Sequence, residues 1–346
     1  MPEDQIPGIE PQDDVPAPPA PLPSAAIAAQ ALPTRFLRAL TGQPGHAVGF
    51  AFSPDSRALA TVGGTSNVML WDPYTGGVFR ELSGHAGRSL LMAAVRCVAF
   101  SPDGQLLASG GTDKTVRLWQ AFTGENVATL DGFANAVTEV EFNPAARTIA
   151  ASDGSAVVLW NLGNGEKQPV PPAPSAASSN VNDIAFKADG SLLAVATGGS
   201  KRGVNPIRLV DPTTRQDVYA LGEGLTDGGF AAQDVVFSAD GRLLAASHRT
   251  SIHVWDTANW RLVRTIEFGR FNDVRTLAFS PRGMLAAAEA GSVRIYDPVS
   301  GAELARTKIA RLKNEPDVKV VGFSPDGRLM AACRSNGLVQ IFTSAG

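Results

Sequence analysis

The chain has 346 residues, of which 30 are Lys or Arg and 33 are Asp or Glu, a formal net charge of −3, and 44% are hydrophobic. This balance excludes nucleic-acid binding by bulk electrostatics, and since no run approaches about 18 apolar residues, no transmembrane helix is predicted. The acidic start, Met-Pro-Glu-Asp, lacks the basic region of a secretory signal, so we expect a cytoplasmic protein.

Residues 1–32 differ in composition from the rest of the chain. They contain eight prolines, five acidic residues and no Lys or Arg, so that residues 33–346 are left with a net charge of +2 out of the total of −3. Such a segment buries too little apolar surface to fold, which predicts a disordered acidic Pro/Ala-rich tail or linker. Alternatively, Pro18-Pro19-Ala20-Pro21 offers a polyproline II ligand, or the tail spaces the remainder of the chain from a partner.

Two sequence markers repeat through residues 33–346. In the first, an apolar strand runs into a Phe followed by a turn, as in Phe100-Ser-Pro-Asp-Gly, and successive Phe residues are 42 to 51 positions apart. That period is typical of a four-stranded propeller blade, which must stack on its neighbours because one repeat cannot bury its own apolar face. The seven Phe residues are Phe52, Phe100, Phe142, Phe186, Phe237, Phe279 and Phe323.

The second marker is an alternating strand with an aromatic or apolar residue near its end. Period-two alternation bounded by Gly, Pro, Asn and Asp indicates strands joined by tight turns. Both markers occur seven times, so the sequence predicts an all-β, seven-bladed β-propeller of four-stranded antiparallel blades at residues 33–346. The second marker ends at Trp71, Trp119, Trp160, Val210, Trp255, Tyr296 and Phe342.

These motifs resemble the WD-repeat family from about Pro33 to Gly346, and the repeat from His85 to Gln120 fits best. The resemblance implies that a His, a Ser or Thr, an Asp and a Trp form a buried hydrogen-bonded chain that rigidifies the blade. In the second blade these are His85, Ser109, Asp113 and Trp119. In the first blade the partial match is His46, Thr61 and Trp71, with Thr65 at the Asp position.

The ends of the chain predict how the ring closes. The segment from Phe36 to Gly42 repeats the pattern of 78–84, the outermost strand of blade 1, so one strand stands ahead of the first blade. The last repeat has only three strands, at 318–323, 329–333 and 339–342. As in the family, we expect the N-terminal strand to pair with the last blade and remove an open sheet edge.

A search for catalytic patterns finds none of the common motifs. There is no His-Glu-x-x-His, Cys-x-x-Cys, Gly-x-Ser-x-Gly, phosphate loop or acidic calcium loop. Cys97 and Cys333 fall on blades 2 and 7, with blade 1 between them, so we expect two buried thiols and no disulfide. We therefore predict no catalytic residue, no metal and no cofactor.

Length anomalies on one face of the propeller point to partner binding, because rigid scaffolds carry function in variable loops. The connection into blade 2 is long and contains an apolar triplet, which either contacts a partner or folds back and is buried. The b–c loops of blades 4 and 5 hold basic residues that could meet an acidic peptide or phosphate, or remain solvated. These candidates are Arg88, Leu90, Leu91 and Met92 in the first case and Lys201, Arg202, His248 and Arg249 in the second.

The innermost strands predict a channel mouth that is polarised across its diameter. Aligned on the repeated Phe, cations fall on blades 2, 6 and 7 and acids on blades 3, 4 and 5, an arrangement that would orient a bound peptide. The prediction requires that these side chains neither pair with one another nor point between blades. The residues are Arg96, Arg275 and Lys319, and Glu139, Asp183 and Asp234.

Two classes of function follow. The leading prediction is a monomeric, non-catalytic scaffold that binds a protein or peptide partner, and neither nucleic acid nor membrane, through its top face and channel mouth; this depends partly on the analogy of fold. One alternative is a propeller-type hydrolase or lyase that uses the three channel acids. A variant of the scaffold interpretation is a sensory or targeting subunit of a kinase, protease or ATPase system.

Overall fold

The repeated units form seven four-stranded antiparallel sheets in a closed ring. The computed structural model describes residues 32–43, 45–86, 94–172, 180–198, 206–222, 231–248, 250–268, 274–289, 291–308 and 317–344. In each sheet the strands are hydrogen-bonded in the order a, b, c and d from the inside outwards. The seven strands a contact one another in turn around the ring, and the last contacts the first.

Blades 1 to 3 each follow directly along the chain. Blade 1 comprises β2 (Ala47–Phe52), β3 (Leu59–Gly63), β4 (Asn67–Trp71) and β5 (Val78–Ser83). Blade 2 comprises β6 (Val95–Phe100), β7 (Leu106–Gly111), β8 (Val116–Gln120) and β9 (Asn126–Leu130). Blade 3 comprises β10 (Glu139–Phe142), β11 (Thr148–Ser152), β12 (Val157–Asn161) and β13 (Lys167–Pro169).

Blades 4 to 6 repeat this order. Blade 4 comprises β14 (Asn180–Phe186), β15 (Leu193–Gly198), β16 (Ile207–Val210) and β17 (Asp217–Leu221). Blade 5 comprises β18 (Asp234–Phe237), β19 (Leu243–His248), β20 (Ser251–Asp256) and β21 (Leu262–Glu267). Blade 6 comprises β22 (Thr276–Phe279), β23 (Leu285–Glu289), β24 (Ser292–Tyr296) and β25 (Glu303–Lys308).

Blade 7 is built from both ends of the chain, as predicted. Its strands a to c are β26 (Val318–Phe323), β27 (Leu329–Arg334) and β28 (Val339–Thr343), and its strand d is β1 (Arg35–Leu40). β1 pairs antiparallel with β28, with Phe36 opposite Phe342 and Leu40 opposite Val339. The pairing covers the edge of the last blade, so the ring is closed by hydrogen bonds between segments some 300 residues apart.

The repeated Phe-Ser-Pro-Asp-Gly sequence is explained by its turn. In blade 2 the Ser101 hydroxyl donates to Asp103 Oδ1 at 2.5 Å and accepts from the Leu106 amide at 2.8 Å. The hydrogen bond from Ser101 lowers the pKa of Asp103. Gly104 has φ of 69°, a left-handed conformation that Gly adopts without steric cost. Equivalent Ser–Asp bonds hold the turns of blades 1, 5 and 7.

The hydrophobic core lies between blades. The aromatic residue at the end of strand c packs against the preceding blade: Trp71 joins Leu329 and Ile341 of blade 7, and Trp119 joins Leu70 of blade 1. Cys97 and Cys333 are free and buried, as predicted. Burial raises the pKa of the Cys333 thiol to about 12. Because each core is shared by two blades, no blade buries its apolar faces without both neighbours.

Candidate partner-binding surfaces

The polar chain in blade 2 runs from the core to the top of the blade. Trp119 Nε1 donates to Ser109 Oγ at 2.9 Å, and Ser109 Oγ lies 2.8 Å from His85 Nε2. His85 Nδ1 lies 2.9 Å from Asp113 Oδ2, which also accepts from the Ala86 amide at 3.0 Å. Every polar atom along this line has a partner, so the four residues can stabilise the blade without an unsatisfied buried group.

The protonation of His85 follows from its surroundings. Burial lowers the pKa of His85, against the opposing attraction of Asp113. Burial opposes ionisation of Asp113, yet the Ala86 amide and His85 lower the pKa of Asp113 overall. A neutral imidazole that carries its proton on Nδ1 satisfies both neighbours, because Nε2 then accepts from the Ser109 hydroxyl. The chain of donors therefore runs from Trp119 to Ser109, His85 and Asp113, and its role is structural.

In blade 1 the polar chain includes Gln43, not the expected His46. Trp71 Nε1 donates to Thr61 Oγ1 at 2.8 Å, but the Thr61 hydroxyl then donates to Gln43 Oε1. His46 instead contacts the Asn336 carbonyl oxygen of blade 7 through Nδ1. The signal was present in the sequence, since Thr41-Gly42-Gln43 aligns with 83–85. Gln43 takes the place that the sequence analysis gave to His46.

Blade 3 replaces the His by Phe133, blade 6 places Phe268 one residue before the His position, and both blades hold the site with rings. In blade 3, Phe133 lies 5.5 Å from Trp160 between ring centroids, and Lys167 Nζ lies 5.0 Å from the Trp160 ring. In blade 6, Phe268 lies 5.9 Å from Tyr296, edge to face. Aromatic pairs of this geometry add about 0.5–1.5 kcal/mol beyond their buried area. The loss of the polar chain is thus compensated by aromatic packing.

Two of the predicted channel acids are engaged between blades. Asp183 Oδ2 accepts from the Val235 amide of blade 5 at 2.8 Å, and Asp234 Oδ2 accepts from the Leu277 amide of blade 6 at 2.6 Å. Burial, and then the charge of Asp234, raises the pKa of Asp183 well above its usual value. Asp183 and Asp234 therefore do not meet the condition set for a polarised channel mouth, because their carboxyl groups link one inner strand to the next.

Glu139 and the neighbouring Glu141 complete this acidic side of the ring. Burial, and then the charges of Asp234 and Glu141, raises the pKa of Glu139 to about 8, and Arg96 opposes the shift. Glu141 Oε2 accepts from the Phe186 amide of blade 4 at 2.7 Å. Burial raises the pKa of Glu141 to about 8. The sequence analysis missed Glu141, because its distance from the repeated Phe gave no sign that it would reach blade 4.

The remaining channel candidates are cations near the start of their inner strands. Arg96 lies close enough to Glu139 to affect its ionisation. Arg275 is exposed just before β22, and Lys319 is half-buried in β26. That these three cations line the channel mouth stays a prediction.

Of the candidate residues in the top loops, His248 is the one that the structure describes. His248 is only 1% exposed, and its ring lies 4.8 Å from that of His253 inside blade 5. The assignment of His248 to a basic surface was therefore wrong, because strand β19 turns this side chain into the blade. The other loop candidates lie outside the described residues: Arg88, Leu90, Leu91, Met92, Lys201, Arg202 and Arg249.

The two faces of the ring differ in the regularity of their loops. We call bottom the face with the a–b and c–d turns, and top the face with the b–c loops and the connections between blades. All bottom turns have 5 or 6 residues between strands, whereas the b–c loops have 2 to 8 and the connections 6 to 12. In blade 2 the polar chain includes one residue from each kind of top segment: His85 lies in the connection from blade 1, and Asp113 lies in the b–c loop. Variation in length is thus confined to the top face.

The described residues also contain a polar cavity that the sequence did not suggest. It has a volume of about 300 Å³, lies between blades 3 and 4, and is lined by Asn143, Asn161, Gln168 and Thr213 among others. Asn143 Nδ2 donates to the Gly190 carbonyl oxygen at 3.0 Å, so that amide ties the two blades together. None of the lining residues is charged, which leaves the cavity without an acid–base group.

The part of the chain that the structure describes shows neither a metal site nor a membrane-spanning helix. Within the ranges that the structure describes, no group of three or more His, Cys, Asp or Glu side chains could hold a metal ion. The same ranges contain no helix that is long and apolar enough to cross a membrane.

Comparisons with known proteins agree with the architecture. The family model "WD domain, G-beta repeat" matches residues 35–72 and 76–120, which span β1, blade 1 and most of blade 2. Among solved structures, the chain is similar to the β-propeller domain of Cps50 (Swd1) from Myceliophteria thermophila. The TM-score is 0.74 at 20% sequence identity, over 90% of this chain and 99% of the other. No curated protein matches the sequence.

Proposed function

For a chain that is a WD-repeat β-propeller, we propose the function of a non-catalytic scaffold that binds a protein or peptide partner through its top face and channel mouth. Propellers of this family typically mediate protein interactions. The observation that carries the proposal is the confinement of loop-length variation to the top face, from 2 to 12 residues, against a constant 5 or 6 at the bottom. A rigid ring with one variable face presents recognition loops on that face.

The charges at the channel mouth support the choice of face. Arg275 and Lys319 stand at or near the start of neighbouring inner strands of blades 6 and 7, and Arg96 does so on blade 2. On the opposite side, the carboxyl groups of Asp183 and Asp234 already accept hydrogen bonds from backbone amides. A partner with acidic groups fits this mouth. Location in the cytoplasm and a monomeric state are part of the proposal.

The test is affinity capture from the native cell extract with three forms of the protein. The top variant combines Arg275→Glu and Lys319→Glu. The matched bottom variant makes the same charge reversals at Arg57 and Arg328, which are exposed in the a–b turns of blades 1 and 7. We expect a stoichiometric partner with the natural protein and the bottom variant, and its loss with the top variant. Loss with the bottom variant alone, or no partner at all, would overturn the proposal.

A second variant tests the long connection into blade 2. Leu90, Leu91 and Met92 are changed together to Ser, and the variant's thermal unfolding is compared with that of the natural protein. Reduced capture with an unchanged Tm places the partner on this connection. A lower Tm with unchanged capture assigns the triplet to the core of the protein.

A further inference from the structure

The outer rim of three consecutive blades exposes large apolar side chains. Ten such residues are more than a third exposed among the described parts of the chain, and six of them lie on the outer strands and c–d turns of blades 7, 1 and 2. Exposed apolar residues that occur singly need no explanation, but a run along one edge does. We call this run the apolar rim: Phe36, Tyr74, Val78, Phe79, Phe122 and Val127, which are 42–59% exposed.

Contacts between the blades join the strands and turns that carry this rim. The Arg38 guanidinium of β1 donates to the Thr75 carbonyl oxygen in the c–d turn of blade 1. The Tyr74 hydroxyl lies 3.4 Å from Asp326 of blade 7. A Cβ on Gly124, in the c–d turn of blade 2, would lie 3.1 Å from Leu82 of β5. The outer strands of blades 7 and 1 therefore pack against the c–d turn of the following blade.

The undescribed N-terminal segment leads into blade 7, the first of the three rim blades. The described chain begins at Leu32, which packs against the core between blades 6 and 7, and Pro33 is buried. Phe36, the first rim residue, follows four residues after Leu32. Residues 15–31 directly precede Leu32, and at roughly 3 Å per residue they span up to about 50 Å in an extended form. That is several times the roughly 10 Å between packed sheets, so the segment can reach blades 1 and 2.

The chemistry of the segment matches that of the rim. Residues 15–31 contain no charged residue, five prolines and the apolar residues Leu22 and Ile27. Proline-rich segments adopt polyproline II structure with little loss of entropy and dock on aromatic-lined surfaces. Four of the six rim residues are aromatic. The five acidic residues of the tail all lie upstream, at positions 3–14, so they need not enter the apolar surface.

We propose that residues 15–31 of this chain pack along the apolar rim of the same molecule. The contact covers the exposed aromatic side chains of blades 7 and 1, and of blade 2 where the segment reaches. It also holds the acidic residues of the tail near the bottom of the ring. This contact is independent of the proposed top-face partner, and it is tested on the purified protein alone.

Disulfide trapping in the full-length protein tests the proposal. The two natural thiols are buried, and burial raises the pKa of both Cys97 and Cys333, so they react slowly. Ala26→Cys is combined with Thr75→Cys beside Tyr74, or with Thr214→Cys in the equivalent turn of blade 4. The two Thr side chains are matched, since each accepts a weak hydrogen bond from the amide two residues on.

We expect the intramolecular disulfide with position 75 to form about tenfold faster than that with position 214, because docking raises the effective concentration. Tether length alone could favour position 75, so both pairs are repeated with Leu22→Ser and Ile27→Ser. Docking predicts that these changes slow trapping at position 75 several-fold and leave position 214 unaffected. Equal rates with and without the Ser substitutions overturn the proposal. Dimeric products whose rate rises with protein concentration also overturn it, since a second copy would then occupy the rim.

Discussion

Blades 2 and 6 are both held together between the end of strand c and the top of the blade, blade 2 by hydrogen bonds and blade 6 by the packing of aromatic rings. In blade 2 the connection between Trp119 and the top of the blade is a chain of four polar groups, each with a partner. In blade 6, Tyr296 and Ala287 stand at the positions of Trp119 and Ser109. Phe268, which aligns one residue before the His85 position, packs edge to face on Tyr296. The repeat therefore fixes where a blade must be held together, but either hydrogen bonds or ring packing can satisfy the need.

Blade 6 also carries a network of acidic and basic side chains beside its aromatic pair. Glu289 is 3% exposed and forms an ion pair with Arg294, whose guanidinium carbon lies 5.9 Å from the Phe268 ring centre. Glu303 lies 3.5 Å from Arg294 and 3.0 Å from Arg306. Both sites have an Arg on strand c: Arg294 lies beside the Phe268 ring in blade 6, and Arg117 Nε lies 4.0 Å from Asp113 Oδ2 in blade 2. The two blades should respond differently to the same kinds of substitution.

The largest expected effect is the removal of the ring in blade 6. Phe268→Ala leaves a cavity against Tyr296 and should lower the free energy of unfolding by about 3–5 kcal/mol, measured by urea denaturation. Phe268→His should not restore it, because Ala287 has no hydroxyl for the imidazole. The control is Leu262→Ala. Leu262 begins β21, the outer strand of blade 5 that leads to Phe268, but its side chain is 46% exposed, so its removal should leave no buried cavity. A stable His variant would contradict this account of blade 6.

Removal of the carboxyl group in blade 2 comes next. Asp113→Ala leaves the buried His85 Nδ1–H and the Ala86 amide without their acceptor, which should cost about 2–4 kcal/mol at pH 7. The control is Thr65→Ala, at the corresponding position of blade 1, where the hydroxyl has no partner among the described residues. Its effect should be within about 0.5 kcal/mol. Similar losses at both positions would show that the polar chain does not stabilise blade 2.

The smallest expected effect concerns the inner strands and depends on pH. Glu141 has its pKa raised from 4.5 to about 8 by burial. Below pH 4.5 the carboxyl is protonated in both states; as the pH rises to about 8 the unfolded state loses the proton first, so stability falls.

Glu141→Gln keeps an acceptor for the Phe186 amide and removes this loss. The variant should exceed the natural protein in stability by about 1 kcal/mol at pH 8, or roughly 2 °C in Tm, and match it at pH 4. Glu125→Gln, at an exposed position just before β9, should show no such trend when thermal unfolding is followed across the same pH range. A Gln variant at position 141 that is less stable at pH 8 would contradict the inferred cost of the buried carboxyl.

The structural roles of residues that repeat at the blade period could be predicted from the sequence. The seven Phe turns, the seven strand c markers and the spare strand before blade 1 gave the blade number and the closure by β1. The roles of polar residues whose partners lie on another blade could not be predicted. Asp183 reaches an amide 52 residues away, and the period alone does not say which way its carboxyl group turns.

His248 and Gln43 show two different reasons for error. His248 was placed by counting within a loop, but β19 extends to this residue and buries it. Gln43 was overlooked because the expected residue type, His, occurred three positions later. The environment of His248 is set by strand register, which a shift of one residue reverses, whereas Gln43 lies in the connection between β1 and β2.

By itself the sequence determined the number of blades, their four-stranded form and the strand that closes the ring, because apolar alternation and turn chemistry are local properties that recur at a fixed period. Only the tertiary structure decided which polar groups hold the blades together, which acids link neighbouring inner strands and which apolar residues remain on the rim. These depend on contacts between segments that are from 10 to about 300 residues apart, and the contacts between blades form only when neighbouring blades stack in the ring.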